Sequence, residues 1–479
     1  MTFSDDGFGL QIGIGAIGKA FGSAIAFVGS VALARTIGDA GYGAFTLLLS
    51  ISMFLDNPFT GWTVACRKRM TEVSFPSDRA AGAVYLGSIV GTTAIIVVTV
   101  SIDLFYGTFR GVDVRMLAVI MPGTLFYTGT KAILNGTTNF GLNPWLKSVR
   151  EVVRVALQIG LVLLIGDVIG MALGLTVASL LIIPIMLRLS GVRPEPPTTE
   201  DLVDIAKFAK SSVPTGFVGS ALSQIDIIVL GGLAGAAIVG NYRVAMNLLF
   251  PATFIVATMS PGMMSRVSSL DSRNEGVSEP VTKGISYASI IALPMAAGAI
   301  VMGDLVAVTV YSSEFKRAGL FMGWLSVYFV VKTQIDILIS TLSGLDRPDL
   351  VLKLSSVGFV INTVLGVGLF YIFGSVGVVY ATVIGIVSRY LLSALWIRRN
   401  LSVNLTPQPL IHQIASAALM GGVLVVLRSF VGLDSSIAVM GIVGLGAVFY
   451  TGTLVLISEE LRQTVHAIAR DGVRSLSDN

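Results

Sequence analysis

The sequence predicts an all-α, polytopic integral membrane protein with about 14 transmembrane helices. Of its 479 residues 54% are hydrophobic and only 13% are charged, whereas soluble domains carry about 25% charged residues. Apolar runs of roughly 20 residues recur from end to end, and each is long enough to cross a ~30 Å hydrocarbon core. A glycine-turn pattern also occurs once in each half of the chain. These observations exclude a large aqueous domain.

The predicted spans follow one another with short connections. They lie at about 11–35, 43–66, 80–103, 115–136, 146–166, 168–188, 211–234, 238–264, 282–303, 319–343, 350–373, 376–398, 410–431 and 436–457. They divide into an N-terminal six-helix lobe at 1–190, a cytoplasmic linker with a short amphipathic helix at 191–210, a C-terminal six-helix lobe at 211–400, two additional transmembrane helices at 401–457 and a cytoplasmic amphipathic tail at 458–479.

The linker combines a proline-rich break with a helix start. Prolines in residues 193–197 interrupt any helix, and Thr198 or Thr199 then offers an N-cap. The residues that share an apolar face after this cap are Leu202, Ile205, Ala206 and Ala209. This pattern is typical of a short helix lying at the membrane surface.

An internal repeat relates the two lobes. Gly38, Gly43 and Phe45 are matched by Gly235, Gly240 and Tyr242, so each copy is a glycine turn between apolar runs, closed by an aromatic ring. A second pair of turns, Gly166-Asp167-Val168 and Gly374-Ser375-Val376, follows the same order. Two pseudo-symmetric six-helix lobes in the same orientation are expected, with the last two spans appended.

The distribution of lysine and arginine predicts the orientation in the membrane. These residues concentrate in one set of loops, and the alternate loops hold only Arg35, Arg110, Arg115, Lys316, Arg317 and Arg428. Because loops rich in basic residues stay inside, both termini are predicted to be cytoplasmic in a multi-pass protein of the cell membrane.

Cofactor motifs are absent or misplaced. One cysteine, Cys66, excludes a disulfide framework and a thiolate metal cluster. Residues 13–18 fit the dinucleotide pattern GxGxxG, but they lie inside an apolar membrane segment and follow no strand. Small residues there indicate close helix packing instead. We therefore expect no enzyme activity, no cofactor, no metal and no nucleic-acid partner.

Charged residues inside the spans are the candidate functional residues, because each costs about 2.5–3.5 kcal/mol near the bilayer centre. Spacings of three and four predict that Glu151 pairs with Arg154 and Lys332 with Asp336. Lys19 lies about 12 Å into its span, where its ammonium cannot easily reach the surface. The cations are Lys19, Lys131, Arg154, Arg243, Lys332 and Arg389, and the acids are Asp56, Glu151, Asp226 and Asp336.

Because cations outnumber acids and both halves contribute, we expect a positively lined cavity between the lobes that accepts a phosphate or pyrophosphate. The predicted phosphate-binding cavity residues are Lys19, Arg154, Arg243, Lys332 and Arg389, and the acids with a pairing or coupling role are Asp56, Asp226 and Asp336. Pro58 with Gly61, and Pro251 in the corresponding span, interrupt the backbone and are predicted hinges.

The sequence resembles the polysaccharide-flippase branch of the multidrug/oligosaccharidyl-lipid/polysaccharide exporter superfamily. The residues that carry the resemblance are Leu33-Ala34-Arg35 through Gly41-Tyr42-Gly43-Ala44-Phe45, Asp226 through Gly240-Asn241-Tyr242, and Gly344-Leu345-Asp346-Arg347-Pro348. The resemblance implies two lobes forming a V, alternating access, and transfer of a polyprenyl- or dolichyl-linked oligosaccharide from the cytoplasmic to the outer leaflet. Membrane lipids and glycan-assembly enzymes are the implied partners.

The resemblance also ranks the candidate residues. Helices one, two, seven and eight line the cavity in the superfamily, which favours Lys19, Asp56, Asp226 and Arg243. Lys19 and Arg243 would hold phosphate, and the two acids would pair with them or bind a coupling cation, H+ or Na+. Lys19 stands where some relatives have an arginine, and a lysine cannot grip phosphate with two parallel hydrogen bonds.

Two other functions fit parts of the pattern. A cation-coupled multidrug exporter of the same superfamily would have more acids in its cavity and about 12 spans. A membrane-embedded glycosyltransferase would need a sizeable aqueous loop with metal-binding carboxylates, and the predicted connections are too short for one.

Overall fold

The structure is a computed structural model that describes residues 5–72, 74–106, 112–137, 143–430, 435–459 and 462. Its regular elements in these ranges are helices: α1 (Asp5–Leu55), α2 (Asn57–Met70), α3 (Ser77–Tyr106), α4 (Met116–Gly136), α5 (Asn143–Ile165), α6 (Asp167–Ser190), α7 (Thr199–Ala234), α8 (Ala236–Leu249), α9 (Phe254–Ser272), α10 (Ser278–Ala288), α11 (Ala292–Val310), α12 (Lys316–Gly344), α13 (Pro348–Phe373), α14 (Ser375–Asn400), α15 (Gln408–Phe430) and α16 (Ser436–Ile457).

The all-α, polytopic membrane fold is confirmed, because each predicted span lies almost entirely in helix wherever its residues are described. Within the described ranges, 11 helical segments are long and apolar enough to cross a membrane. The first two predicted spans share α1, and α5 carries several charges in its first half. The number of fourteen spans and the side on which the termini lie therefore stay predictions.

The matched glycines adopt the same backbone conformation in both halves. Gly38 interrupts α1 at φ 72° and ψ −178°, and Gly235 separates α7 from α8 at φ 88° and ψ 174°. A residue with a Cβ atom is strained in this region, so glycine is required. The predicted turns are therefore sharp breaks between consecutive helical segments.

The second glycine of each copy is the point where the two repeats cross. A Cβ atom on Gly43 would lie 1.8 Å from the Ala236 carbonyl oxygen, and one on Gly240 would lie 2.2 Å from the Asp39 carbonyl oxygen. Each glycine thus contacts the first residue after the break in the other copy. This reciprocal packing supports the predicted internal repeat.

The later glycine turns also correspond. Gly166 begins the turn into α6 at φ 86°, and Gly374 begins the turn into α14 at φ 62°. In the two hairpins Gly170 packs on the Val162 backbone and Gly377 packs on the Leu369 carbonyl. Close packing of α5 on α6 and of α13 on α14 follows from these small residues.

The chain forms two compact units, Met1–Gly240 and Asn241–Asn479. The core of the first is built from α2, α3, α4 and the start of α7, with Phe59, Ala80 and Met121 at its centre. In the second, one core joins α9, α10, α12 and α14, and another joins α11 with α15 and α16. The helices appended to the C-terminal lobe therefore pack against α11.

The linker helix predicted before the seventh span is continuous with that span. Thr198 caps α7 in a reciprocal capping box with Asp201, as the N-cap pattern predicts. Ile205 and Ala209 are buried in the core that the start of α7 forms with α2, α3 and α4, and Ser212 donates to the Gly61 carbonyl at 2.9 Å. The apolar face predicted for the linker helix is thus covered by α2. The helix itself runs unbroken from Thr199 to Ala234. The predicted tail at 458–479 lies almost entirely outside the described residues.

Two helix breaks coincide with the predicted proline hinges. The helix is interrupted at Asp56, between α1 and α2, with Pro58 in the first turn of α2. Asp56 itself keeps helical backbone hydrogen bonds to the Ser52 carbonyl and from the Thr60 N–H. Likewise, α8 and α9 are separated by a 3-10 turn, Phe250–Thr253, which contains Pro251. Proline lacks the backbone donor that a continuous helix would need. Their role as hinges stays a prediction.

Candidate functional site

One carboxylate in the first unit is shared by two arginines. Arg154 donates from Nε to Glu151 Oε2 at 2.7 Å, and its Nη2 lies 2.6 Å from the same oxygen. Arg150 Nη2 lies 3.5 Å from Glu151 Oε1. The predicted Glu151–Arg154 pair is therefore present, but the cluster of three side chains keeps an excess positive charge. Glu151 is only 8% exposed, so water screens this charge weakly.

Polar side chains that the sequence analysis did not select hold this cluster in place. Arg154 Nη1 donates to Gln158 Oε1 at 3.1 Å, and Gln158 Nε2 donates to the Met171 carbonyl at 2.9 Å. The Arg150 guanidinium lies over the Tyr127 ring, 4.0 Å from its centroid. The network thus joins α4, α5 and α6. The spacing of four between Arg154 and Gln158 could have indicated the second contact.

Asp56 occupies the break between α1 and α2. Its Oδ2 accepts long hydrogen bonds from Thr60 at 3.4 Å and from Thr128 at 3.3 Å. Its Oδ1 is buried and has no hydrogen-bond partner within the described part of the chain. A buried oxygen of this kind is able to take a proton or contact a cation.

In the second unit two candidate cations and one candidate acid lie on α12 and α14 (Lys332, Asp336 and Arg389). Lys332 Nζ donates to Asp336 at 3.1 and 2.9 Å, which is the predicted pair. Arg389 packs on Gly358, and its Nε is buried without a hydrogen-bond partner in the described ranges. Asp336 therefore pairs with Lys332, and no carboxylate in the described part of the chain forms an ion pair with Arg389.

Arg243 is half-buried on α8, and across the described residues its side chain makes no hydrogen bond or ion pair. Its neighbours fix this helix on α12. Asn241 Oδ1 accepts from the Ala318 backbone N–H at 3.0 Å, and the Tyr242 ring meets the Phe321 ring edge-on at 6.2 Å. The backbone at Arg243 is therefore held in place while its guanidinium stays available.

The remaining candidates are less completely defined. The Lys19 backbone is part of α1, but its side chain lies outside the described residues. Asp226 is half-buried on α7 and is engaged by another group, so it is not free. In the described ranges no group of three or more His, Cys, Asp or Glu side chains could hold a metal ion. The assembly of all predicted residues into one cavity stays a prediction.

The second unit contains an apolar cavity of about 520 Å³. Its walls come from the end of α8, from α11 and α12, and from both appended helices. The appended helices contribute Met420 of α15 together with Val443, Ala447 and Leu454 of α16. Tyr450 adds its ring to this wall. The apolar side chains of this lining match the chemistry of a hydrocarbon chain.

Comparison with known proteins finds relatives that are named for polysaccharide or glycan biosynthesis. A family described as polysaccharide biosynthesis protein matches residues 32–319. The probable low-salt glycan biosynthesis flippase Agl15 of Haloferax volcanii is 23% identical over 456 residues, which covers 94% of this chain and 95% of that protein.

Two solved structures share the fold. The lipid II flippase MurJ in an inward closed conformation has a TM-score of 0.79 at 14% identity, and the match covers 93% of this chain and 99% of MurJ. An inward-facing multidrug resistance transporter of the MATE family has a TM-score of 0.63 at 17% identity, and the match covers 81% of this chain and 98% of the transporter. At these identities the likeness concerns the fold alone.

Proposed function

Because this chain belongs to the polysaccharide biosynthesis protein family, we propose that it is a flippase for a lipid-linked oligosaccharide. It moves a polyprenyl- or dolichyl-phosphate-linked glycan from the cytoplasmic to the outer leaflet of the cell membrane by alternating access, for surface polysaccharide or glycoprotein glycan assembly. It acts as a transporter and not as an enzyme. The similarity to Agl15 along nearly the whole chain supports this substrate class.

The observation that carries the proposal is the positive charge left over inside both units. Arg150 and Arg154 share Glu151, and Arg243 makes no ion pair in the described ranges. Such cations persist in an apolar medium only where an anion or water offsets their cost. A phosphate is a matching anion, because guanidinium groups bind it through charge-assisted hydrogen bonds. Lys19 and Arg243 are the residues that we assign to it.

The apolar cavity accounts for the lipid portion of the substrate. An isoprenoid chain carries no hydrogen-bonding groups, and the walls supplied by Met420, Val443 and Leu454 offer matching surface. In this view the appended helices α15 and α16 hold part of the lipid while the sugar headgroup passes through the protein.

A reconstituted transport assay tests the assignment. The full chain is placed in liposomes with a fluorescent polyprenyl-phosphate-linked oligosaccharide, and dithionite reports the fraction that stays protected in the inner leaflet. We expect Lys19→Ala and Arg243→Gln to lower the flipping rate at least tenfold without lowering the amount of folded protein. Arg266→Gln is the matched control, because Arg266 is an exposed arginine on α9 of the same unit. Wild-type flipping by well-folded Lys19→Ala and Arg243→Gln proteins would contradict the assignment.

A cation-coupled multidrug exporter is the second candidate, and Asp56 is the observation that favours it. Its unpartnered oxygen at a helix break could bind H+ or Na+ during a transport cycle, and the MATE transporter shares the fold. The two functions differ in their substrates. Transport of cationic dyes in the same liposomes, together with no flipping of the lipid-linked glycan, would favour the exporter.

A further inference from the structure

A second cavity, of about 590 Å³, lies in the second unit where α11, α12 and α15 meet. This second cavity differs from the apolar cavity in that charged residues line one of its ends. Lys316 is the first residue of α12, Asp304 lies on α11, and Arg428 belongs to the last turn of α15. The loop between α11 and α12 is predicted to lie on the outer side of the membrane.

The charged end has an excess of one positive charge. Arg428 Nη2 lies 3.0 Å from Asp304 Oδ2, and its Nη1 donates to the Val301 carbonyl. A guanidinium has five N–H donors, so three of those on Arg428 have no acceptor among the described residues and can serve a ligand. The Lys316 side chain makes no hydrogen bond or ion pair in the described part of the chain. The two cations therefore face a single carboxylate that Arg428 already engages.

The rest of the cavity is apolar and extends along α12 away from the charges. Leu320, Trp324 and Val327 line it and are 55%, 43% and 37% exposed, and Ile300 of α11 stands opposite. From Lys316 to Val327 the helix rises about 16 Å at 1.5 Å per residue. That length is close to half of a ~30 Å hydrocarbon core, which is the depth of one leaflet.

We propose that this cavity binds one anionic bilayer phospholipid, with its phosphate at Lys316 and Arg428 and one acyl chain along Leu320, Trp324 and Val327. The charge complementarity selects an anionic headgroup over a zwitterionic one, because the site has one uncompensated positive charge. The bound lipid would bridge the appended helix α15 to α12. The proposal is independent of what the protein transports.

Two variants distinguish lipid binding in this cavity from lipid binding elsewhere on the membrane-facing surface. Lys316→Gln removes the free charge, and its matched control is Arg317→Gln, because Arg317 is the next residue, equally charged and exposed, but does not line the cavity. Gly323→Leu fills the cavity, since a Cβ atom on Gly323 meets nothing within 4 Å and the backbone there is helical.

The experiment is native mass spectrometry of the full-length protein titrated with dioleoyl phosphatidylglycerol or dioleoyl phosphatidylcholine. We expect the wild type and Arg317→Gln to retain one phosphatidylglycerol in preference to phosphatidylcholine. Lys316→Gln should weaken retention about tenfold, as the loss of one charge-assisted hydrogen bond predicts. Gly323→Leu should abolish it. Gel filtration tests whether each variant is folded. If Gly323→Leu does not fold, the comparison of Lys316→Gln with Arg317→Gln still tests the site.

Three results would overturn the proposal. Equal retention by Lys316→Gln and Arg317→Gln would mean that the lipid binds elsewhere. Equal affinity for phosphatidylcholine would remove the role of the charge. Displacement of phosphatidylglycerol by equimolar polyprenyl phosphate would assign the cavity to the transported lipid and not to a resident one.

Discussion

Cations that share a carboxylate are the residue-scale feature on which the proposed function depends. Glu151 faces two arginines, so the pairing lowers the cost of burying the cations without cancelling their charge. A neutral network would have no affinity for an anion. A network of cations alone would be too costly in the apolar interior. The observed ratio satisfies both requirements within one unit.

The stability of the first network is testable at Glu151. Glu151→Gln leaves Arg150 and Arg154 without their buried counter-charge, which should destabilise the protein by about 3 kcal/mol. Thermal unfolding of the purified chain in detergent should show a lower Tm by several degrees. The matched control is Glu279→Gln, which breaks a solvent-exposed pair with Lys283 and should leave Tm almost unchanged. Equal Tm values for the two variants would contradict a structural role of Glu151.

At the scale of elements, glycine decides where the helices break and how closely they cross. Gly38 and Gly235 interrupt helices in a conformation that other residues rarely adopt. Gly43 and Gly240 then allow the backbones of α1 and α8 to touch. The two kinds of glycine have different tasks, the first conformational and the second steric, and both recur in each half of the chain.

The steric role predicts a sharp difference between neighbouring glycines. Gly240→Ala and Gly43→Ala would place a methyl group within 2.2 and 1.8 Å of a backbone oxygen. Because backbone atoms cannot rotate away, we expect each substitution to lower the free energy of unfolding by about 1–3 kcal/mol. The yield of monodisperse protein from membranes should fall accordingly. Gly232→Ala is the control, since its methyl group meets nothing within 4 Å. Equal yields of the Gly240 and Gly232 variants on fluorescence-detected gel filtration would refute the crossing.

For the whole molecule, excess positive charge links the proposed transport to the membrane potential. A phosphate-bearing substrate is an anion, and its outward movement is favoured by an inside-negative potential. The gain is about 2.3 kcal/mol per charge per 100 mV if the charge crosses the whole field. Coupling to the potential would let the protein drive transport without a dedicated ion site.

The potential dependence can be measured in the same proteoliposomes. A potassium gradient with valinomycin sets the potential, and we expect movement of the lipid-linked glycan toward the positive side to accelerate several-fold at about 100 mV. A Na+ or pH gradient at zero potential should change the rate little. A rate that follows the ion gradient and not the potential would support cation coupling at Asp56, and Asp56→Asn would then remove that dependence.

The sequence by itself determined the membrane class, the positions of the helices, the glycine turns and the local ion pairs. The membrane class and the helix positions depend on the length of the apolar runs, and the glycine turns and ion pairs depend on residues a few positions apart. A single segment of the chain contains all of this information. Glu151 with Arg154, and Lys332 with Asp336, lie on single helices for this reason.

Tertiary structure alone decided which groups from different helices meet. Thr128 approaches Asp56, Tyr127 lies under Arg150, Gln158 reaches the Met171 carbonyl, and Asp304 holds Arg428. The same holds for α7, whose first turns lie against α2 because that surface is complementary. These contacts depend on the packing of side chains between helices, and no periodicity within one segment encodes that packing.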